Sequence, residues 1–169
     1  MGRHPAWDTE AARALIARMS GLDGAAMPIL HALQEEFGYI DQAAVPLIAD
    51  ALNLSRAEVH GTVTFYHDFR ERPAGRRVIK LCRAEACQSV GCEHLVDHLR
   101  RRHGVAVDAT TADGDLTVET VYCLGNCALG PAALVDGELI GHLDEASLSA
   151  LCEGRSVDEA RAAAEGVPA

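Results

Sequence analysis

Along the first 70 residues the apolar positions recur at three- and four-residue intervals, the period of helices that each bury one face. Ala12, Leu15, Ile16 and Met19 form such a stripe and predict a first helix between Asp8 and Met19. Gly21 and Gly24 interrupt it. Pro28 suits the first turn of a second helix, where a missing amide leaves no hydrogen bond unmade. The stripe Ile29, Leu30, Leu33, Phe37 then runs to Gly38, which can close the helix in the left-handed conformation. A third helix is expected after Asp41, carrying Val45, Leu47, Ile48, Ala51 and Leu52, with Pro46 in its first turn. Ser55-Arg56-Ala57-Glu58 has the form of a capping box and predicts a fourth helix running towards Phe65 and Tyr66.

The period changes after Arg70–Arg77, a charged stretch holding Glu71, Pro73 and Gly75, so a boundary is expected near residue 74. Val78-Ile79-Lys80-Leu81 is a short β-branched run that predicts a buried strand ending at Cys82. Val90 to His103 returns to helical spacing through Cys92, Leu95, Val96 and Leu99. Leu116 to Tyr122 alternates as a strand does and leads into Cys123. Asp136-Gly137 between two apolar runs predicts a hairpin, because both residues tolerate the positive φ angles of a tight turn. Asp144 then caps a last helix carrying Leu148, Leu151 and Cys152. The order implies an α/β (α+β) chain: a helical bundle over 1–74, a domain over 75–154 with helices against a mixed sheet in the manner of thioredoxin, and a tail over 155–169 that forms a loose helix.

Composition narrows the function. The 169 residues carry 15 Lys+Arg against 25 Asp+Glu, a formal charge of −10, which argues against nucleic acid and anionic membrane surfaces as partners. No apolar run approaches the roughly 18 to 20 residues of a membrane helix, and Met1 to Met19 reads as a charged amphipathic stretch rather than a signal peptide. The expected location is the cytoplasm. Thiols stay reduced there, so six cysteines point to metal binding more than to a disulfide framework.

Four of the six stand in two close pairs, Cys82-x4-Cys87 and Cys123-x3-Cys127, with 35 residues between the inner members. Neither pair has the x2 spacing of a zinc ribbon or of a dithiol oxidoreductase. All four are expected in loops directly after strands, free to converge. Cys92 repeats the x4 spacing, but it shares a helical stripe with Leu95, Val96 and Leu99 and is assigned to the core, as is Cys152 beside Leu148 and Leu151. Four thiolates suit either tetrahedral zinc or a 2Fe-2S cluster. The longer spacings favour the larger centre. Gly125, lacking a Cβ, would let the backbone approach an inorganic sulfide and donate an amide to it.

The pattern Cys82-x4-Cys87-x35-Cys123-Leu124-Gly125-Asn126-Cys127, followed by Ala128-Leu129-Gly130-Pro131, resembles the thioredoxin-like 2Fe-2S ferredoxin family. That family includes the small iron-sulfur subunit beside the flavin subunit of respiratory complex I, and its counterparts in NAD-linked formate dehydrogenases and NAD-reducing hydrogenases. The resemblance spans most of the chain and includes Gly61-Thr62-Val63-Thr64-Phe65-Tyr66 in the helical region. Within the family, Phe65 to Arg70 and Cys82 to Gln88 are most similar to the gamma subunit of soluble, molybdenum-dependent, NAD-dependent formate dehydrogenases.

The resemblance implies one 2Fe-2S cluster on Cys82, Cys87, Cys123 and Cys127, and an electron-transfer role with no substrate chemistry on this chain. FMN, NAD and the molybdenum cofactor would sit on partners: a flavin- and NAD-binding subunit and a larger catalytic subunit. The chain itself has neither a Gly-x-Gly-x-x-Gly turn nor a phosphate loop. Lys80 and Arg83 are placed either to offset cluster charge or as solvated residues at a strand end. His94 and His98 lie off the apolar stripe and are expected on a solvated face, and His67 at a packed interface. Exposed Phe65 and Phe69 on the bundle are the expected grip for a partner. Two other readings remain, a zinc-stabilised interaction module and a thiol-disulfide enzyme, the latter lacking its Cys-x-x-Cys.

Overall fold

A computed structural model describes residues 4–164, which form two compact units divided between Ala74 and Gly75. The first is built from α1 (Thr9–Met19), α2 (Ala26–Phe37), α3 (Ala44–Leu52) and α4 (Arg56–Phe65). The Asp8 carboxylate accepts the amides of Glu10 and Ala11 at 2.8 and 3.0 Å and starts α1. Gly38, at φ 80°, closes α2 in the left-handed conformation. Ser55 and Glu58 form both halves of the capping box that starts α4. Leu15, Ile16, Ile29, Leu30, Leu33, Ile48, Val59 and Val63 meet in one core. Ala44 and Ala49, rather than the exposed Ala51, join Ile48 on the buried face of α3.

The segment after α4 folds back on its own unit. The Gln34 side chain donates to the Asp68 carbonyl at 2.7 Å and accepts the Arg70 amide at 2.7 Å, and the Ile40 amide donates to the Arg70 carbonyl. This return buries Phe69 to 6 % exposure in the bundle core and leaves Phe65 at 72 %. Phe69 is therefore a core residue, not part of an exposed grip. Local periodicity misses it because the return is made by hydrogen bonds to residues distant in sequence, the Gln34 side chain and the Ile40 amide.

The second unit is a five-stranded mixed sheet in the order β2-β3-β1-β4-β5. Its strands are β1 (Arg77–Cys82), β2 (Ala109–Thr110), β3 (Leu116–Val121), β4 (Ala133–Val135) and β5 (Glu138–Ile140). β1 and β3 run parallel, while β2, β4 and β5 each pair antiparallel with a neighbour. Asp136-Gly137 turns β4 into β5, with both residues at positive φ. Between β1 and β3 lie α5 (Glu85–Ser89) and α6 (Cys92–His103). After the sheet come α7 (Glu145–Cys152), capped by Asp144, and α8 (Val157–Ala164).

The apolar faces of β1, β3, α6 and α7 form the second core, and Val157 and Ala160 of α8 are buried in it. The helix expected as a loose tail is thus docked over its described length; residues 165–169 lie outside the described part. The two-residue β2 carries no alternation to read, and its Thr110 hydroxyl pairs with buried Thr117 at 2.7 Å. Among the described residues, no helix is long and apolar enough to cross a membrane.

Candidate metal centre

The parallel pairing of β1 with β3 runs in register from Arg77 opposite Leu116 to Cys82 opposite Val121. Parallel strands present their C-terminal ends on one edge of the sheet, so both cysteine segments leave it side by side. The next amide, of Arg83, still donates to the Val121 carbonyl at 2.9 Å, and the Cys82 amide donates to the Ala132 carbonyl at 2.9 Å. Cys82 is thereby held between its neighbours as the last residue of β1 and is not in a loop. Cys87 also departs from the loop expectation, standing within the short α5. Cys123 and Cys127 lie in the segment after β3, with Cys127 opening a 3-10 turn over Cys127–Leu129.

The four thiols form an inner and an outer pair. Cys82 and Cys87 are both 2 % exposed and hydrogen-bonded to each other. Cys123 and Cys127 are exposed, with their Sγ atoms 3.7 Å apart. Cys123 adopts φ 81°, a left-handed conformation that costs a non-glycine residue about 1–2 kcal/mol. Gly125 at φ 77° completes the curl, and its amide donates to the Cys123 Sγ at 3.4 Å. That amide is directed at a thiol sulfur, where the sequence suggested a bridging sulfide.

Electrostatics separate the inner pair. Burial pushes the Cys82 thiol up, but hydrogen bonds from the Ala84 amide, the Cys87 thiol and the amides of Cys123 and Leu124 outweigh it and hold it below its ordinary value. Cys87 is raised, first by burial and then by its hydrogen bond to Cys82, against a lowering contribution from the Ala132 amide. Cys127 is raised first by its hydrogen bond to Cys123 and then by electrostatic repulsion from that neighbouring sulfur. Three backbone amides aimed at one sulfur form an anion-stabilising shell of the kind a thiolate-ligated metal centre uses.

Close backbone approaches hold the outer segment. A Cβ on Gly141 would lie 2.6 Å from the Leu129 carbonyl oxygen and 2.8 Å from the Asn126 side-chain nitrogen, and the His142 amide donates to that same carbonyl at 2.7 Å. Gly130 packs under Val90 and Cys87, and a Cβ there would stand 3.5 Å from the Cys87 Sγ. Nothing local in the sequence marks Gly141, since its contacts come from a segment more than ten residues earlier.

The remaining candidates are distributed differently. Cys92 is fully buried, packed against Cys82, Cys87 and Ala132 rather than among the leucines of α6, and burial pushes its thiol up to about 11. Cys152 packs against the second core and is pushed up to about 12, again chiefly by burial. Lys80 lies 3.6 Å from the Glu119 carboxylate, its partner across β1 and β3. Arg83 holds Glu93. His94 and His67 are exposed, whereas His98 is not on a solvated face: its Nε2 is 2.7 Å from the Ser149 hydroxyl and its Nδ1 3.2 Å from Glu145. That correction comes from α7 packing on α6, a contact invisible to the period of α6 alone.

The donor set fits a binuclear iron-sulfur centre. Four thiols stand as two adjacent pairs with amides already turned towards sulfur.

Comparison with known proteins agrees. The sequence profile described as thioredoxin-like [2Fe-2S] ferredoxin matches residues 12–155. A subunit of NADH-quinone oxidoreductase from Rhizobium meliloti is 36 % identical over 144 residues, covering 85 % of this chain and 86 % of that one. The corresponding NADH-quinone oxidoreductase subunit of Pseudomonas aeruginosa is 32 % identical over 129 residues, covering 76 % and 78 %. A crystal structure of an NAD+-reducing [NiFe]-hydrogenase in the air-oxidized state superposes with a TM-score of 0.64 at 27 % identity; the match covers 81 % of this chain and 23 % of the hydrogenase chain.

Proposed function

Because the chain belongs to the thioredoxin-like 2Fe-2S ferredoxin family, we propose that it is an electron-transfer subunit whose Cys82, Cys87, Cys123 and Cys127 hold the family's single cluster. The cluster supplies reversible uptake of one electron. The observation that carries the ligand assignment is that both thiol pairs lie at the adjacent C-terminal ends of the parallel strands β1 and β3.

The chain's own residues do the rest. The amides of Ala84, Cys123 and Leu124 stabilise negative charge on Cys82 Sγ, and that of Gly125 on Cys123 Sγ. Buried Cys82 and Cys87, with Ala132 and partly buried Leu124, keep water from the inner side. Cys123 and Cys127 leave the outer side open, beside Tyr122 at 77 % exposure and Leu129. Electron tunnelling falls steeply with distance, so this open side is where a partner's redox group exchanges electrons.

The partner is a subunit binding FMN and NAD, in the cytoplasm, where hydride chemistry is split into single electrons. The names of the relatives, NADH-quinone oxidoreductase subunits and an NAD+-reducing hydrogenase, support an NAD-linked complex. Within that class we assign the chain to a soluble molybdenum-dependent formate dehydrogenase, on the resemblance of Phe65 to Arg70 and Cys82 to Gln88. Complex I and hydrogenase remain the alternatives.

Purification without oxygen tests the proposal. The chain is expected to be red-brown, to hold about two irons and two sulfides, and to give an S = 1/2 EPR signal when reduced. A colourless chain with one zinc would overturn it. Co-purifying subunits identify the complex: molybdenum indicates formate dehydrogenase, nickel and iron hydrogenase, and a membrane arm complex I.

A further inference from the structure

Arg83 follows Cys82 directly, and Glu93 follows Cys92, the thiol packed against Cys82 and Cys87. The two side chains meet as a fork on a carboxylate: Arg83 Nε lies 2.9 Å from one Glu93 oxygen and Nη2 3.0 Å from the other. The pair is anchored beside the cysteines at both ends. Glu93 Oε1 is 3.9 Å from Cys92 Sγ, and Arg83 is also held by backbone, its amide on Val121 and its carbonyl accepting from Gln88 at 2.8 Å. Half of the Glu93 side chain is exposed, but only 26 % of Arg83 is, so solvent screens the anion more than the cation.

We propose that Arg83 and Glu93 each act on the reduction potential of the centre held by Cys82, Cys87, Cys123 and Cys127 with opposite sign, as a compensated cation and anion beside its buried side. This rests on the ligand assignment above. Reduction adds one electron and no proton or bond, and takes four thiolates, two sulfides and two irons from a formal charge of about −2 to about −3. A cation nearby favours the reduced form and an anion disfavours it. Paired, the two largely cancel. Arg83 and Glu93 are positioning residues in this sense: neither is a ligand.

The sign of the effect separates this role from a structural brace between β1 and α6. Glu93→Gln removes the anion and leaves Arg83 uncompensated, so the potential rises. Arg83→Gln leaves Glu93 uncompensated, so it falls. Arg83→Gln with Glu93→Gln returns it close to the original value, and Arg83→Lys, which keeps the charge, moves it less than Arg83→Gln. The full-length chain is reconstituted with iron and sulfide, and its potential is read by dithionite titration followed in the visible spectrum and by EPR. If the unaltered chain takes up no cluster, the ligand assignment fails. If the variants carry the cluster but the two single substitutions shift the potential in the same direction, or not at all, the pair is only a brace and the proposal is overturned. A single variant that cannot be reconstituted leaves the sign to the other, since Glu93→Gln must raise and Arg83→Gln must lower the potential on its own.

Discussion

Cys82 lies directly opposite Val121 across the parallel strands β1 and β3, which puts Cys123 only two residues beyond the partner of Cys82. Two cysteines 41 positions apart in the chain thereby leave the sheet from the same edge. The proposed ligand set predicts that Cys82→Ser, Cys87→Ser, Cys123→Ser and Cys127→Ser each abolish or strongly deplete the cluster. Cys92→Ser and Cys152→Ser leave it in place. Iron and sulfide content of anaerobically purified variants decides this. Loss of the cluster in Cys92→Ser with retention in Cys82→Ser would reassign the inner pair.

Gly141 is the residue on which the outer segment rests. Gly141→Ala drives a Cβ to within 2.6 Å of the Leu129 carbonyl oxygen, so that backbone must shift. The expected destabilisation is about 1–3 kcal/mol, the usual range for overpacking. Because the displaced segment carries Cys127, the cluster should also bleach faster in air than in the unaltered chain. Denaturant unfolding of the cluster-free chain measures the first effect, and decay of visible absorption the second.

Phe69 and Phe65 are close in sequence and opposite in environment. Phe69→Ala is expected to cost about 3–5 kcal/mol by emptying a buried aromatic site. Phe65→Ala should leave the unfolding midpoint nearly unchanged. If the exposed pair of Phe65 and Tyr66 contacts a partner subunit, only Phe65→Ala weakens co-purification while sparing stability.

His103 is held below the ordinary imidazole value, first by burial and then by the neighbouring His98. Its Nε2 is 3.2 Å from the same Ser149 hydroxyl that His98 reaches at 2.7 Å. Glu145 beside His98 and Glu153 and Arg102 near His103 are the charged groups around it. A depressed folded value means that the unfolded chain binds the proton more readily. The contribution of His103 is therefore fully present above about pH 6.5 and is lost as pH falls through the folded value. Denaturant midpoints from about pH 5 to 8 should rise with pH in the unaltered chain and more shallowly in His103→Gln.

Much of the architecture is legible in the chain because its causes are local. The stripes of α1 and α2, the Ser55–Glu58 box, the Asp136-Gly137 turn and the Asp144 cap each depend on residues within a few positions of one another, and each appears where the pattern predicts. The spacing of the two thiol pairs is equally local and suffices for the family resemblance.

What the sequence leaves undecided depends on segments that meet only after folding. β2 is too short to show a period, and α5 has too few turns to show a stripe. Phe69 is buried by a backbone return, His98 is covered by a helix that follows much later in the chain, and Gly141 is required by the Asn126–Leu129 backbone. By itself the sequence determined which residues can face a core and which thiols stand in pairs. Tertiary structure alone decided that both pairs leave the sheet at one edge, that one pair is buried and the other exposed, and that Arg83 answers Glu93. The reason is physical: parallel strand register, burial and ion pairing are properties of neighbours in space, while periodicity reports only neighbours in the chain.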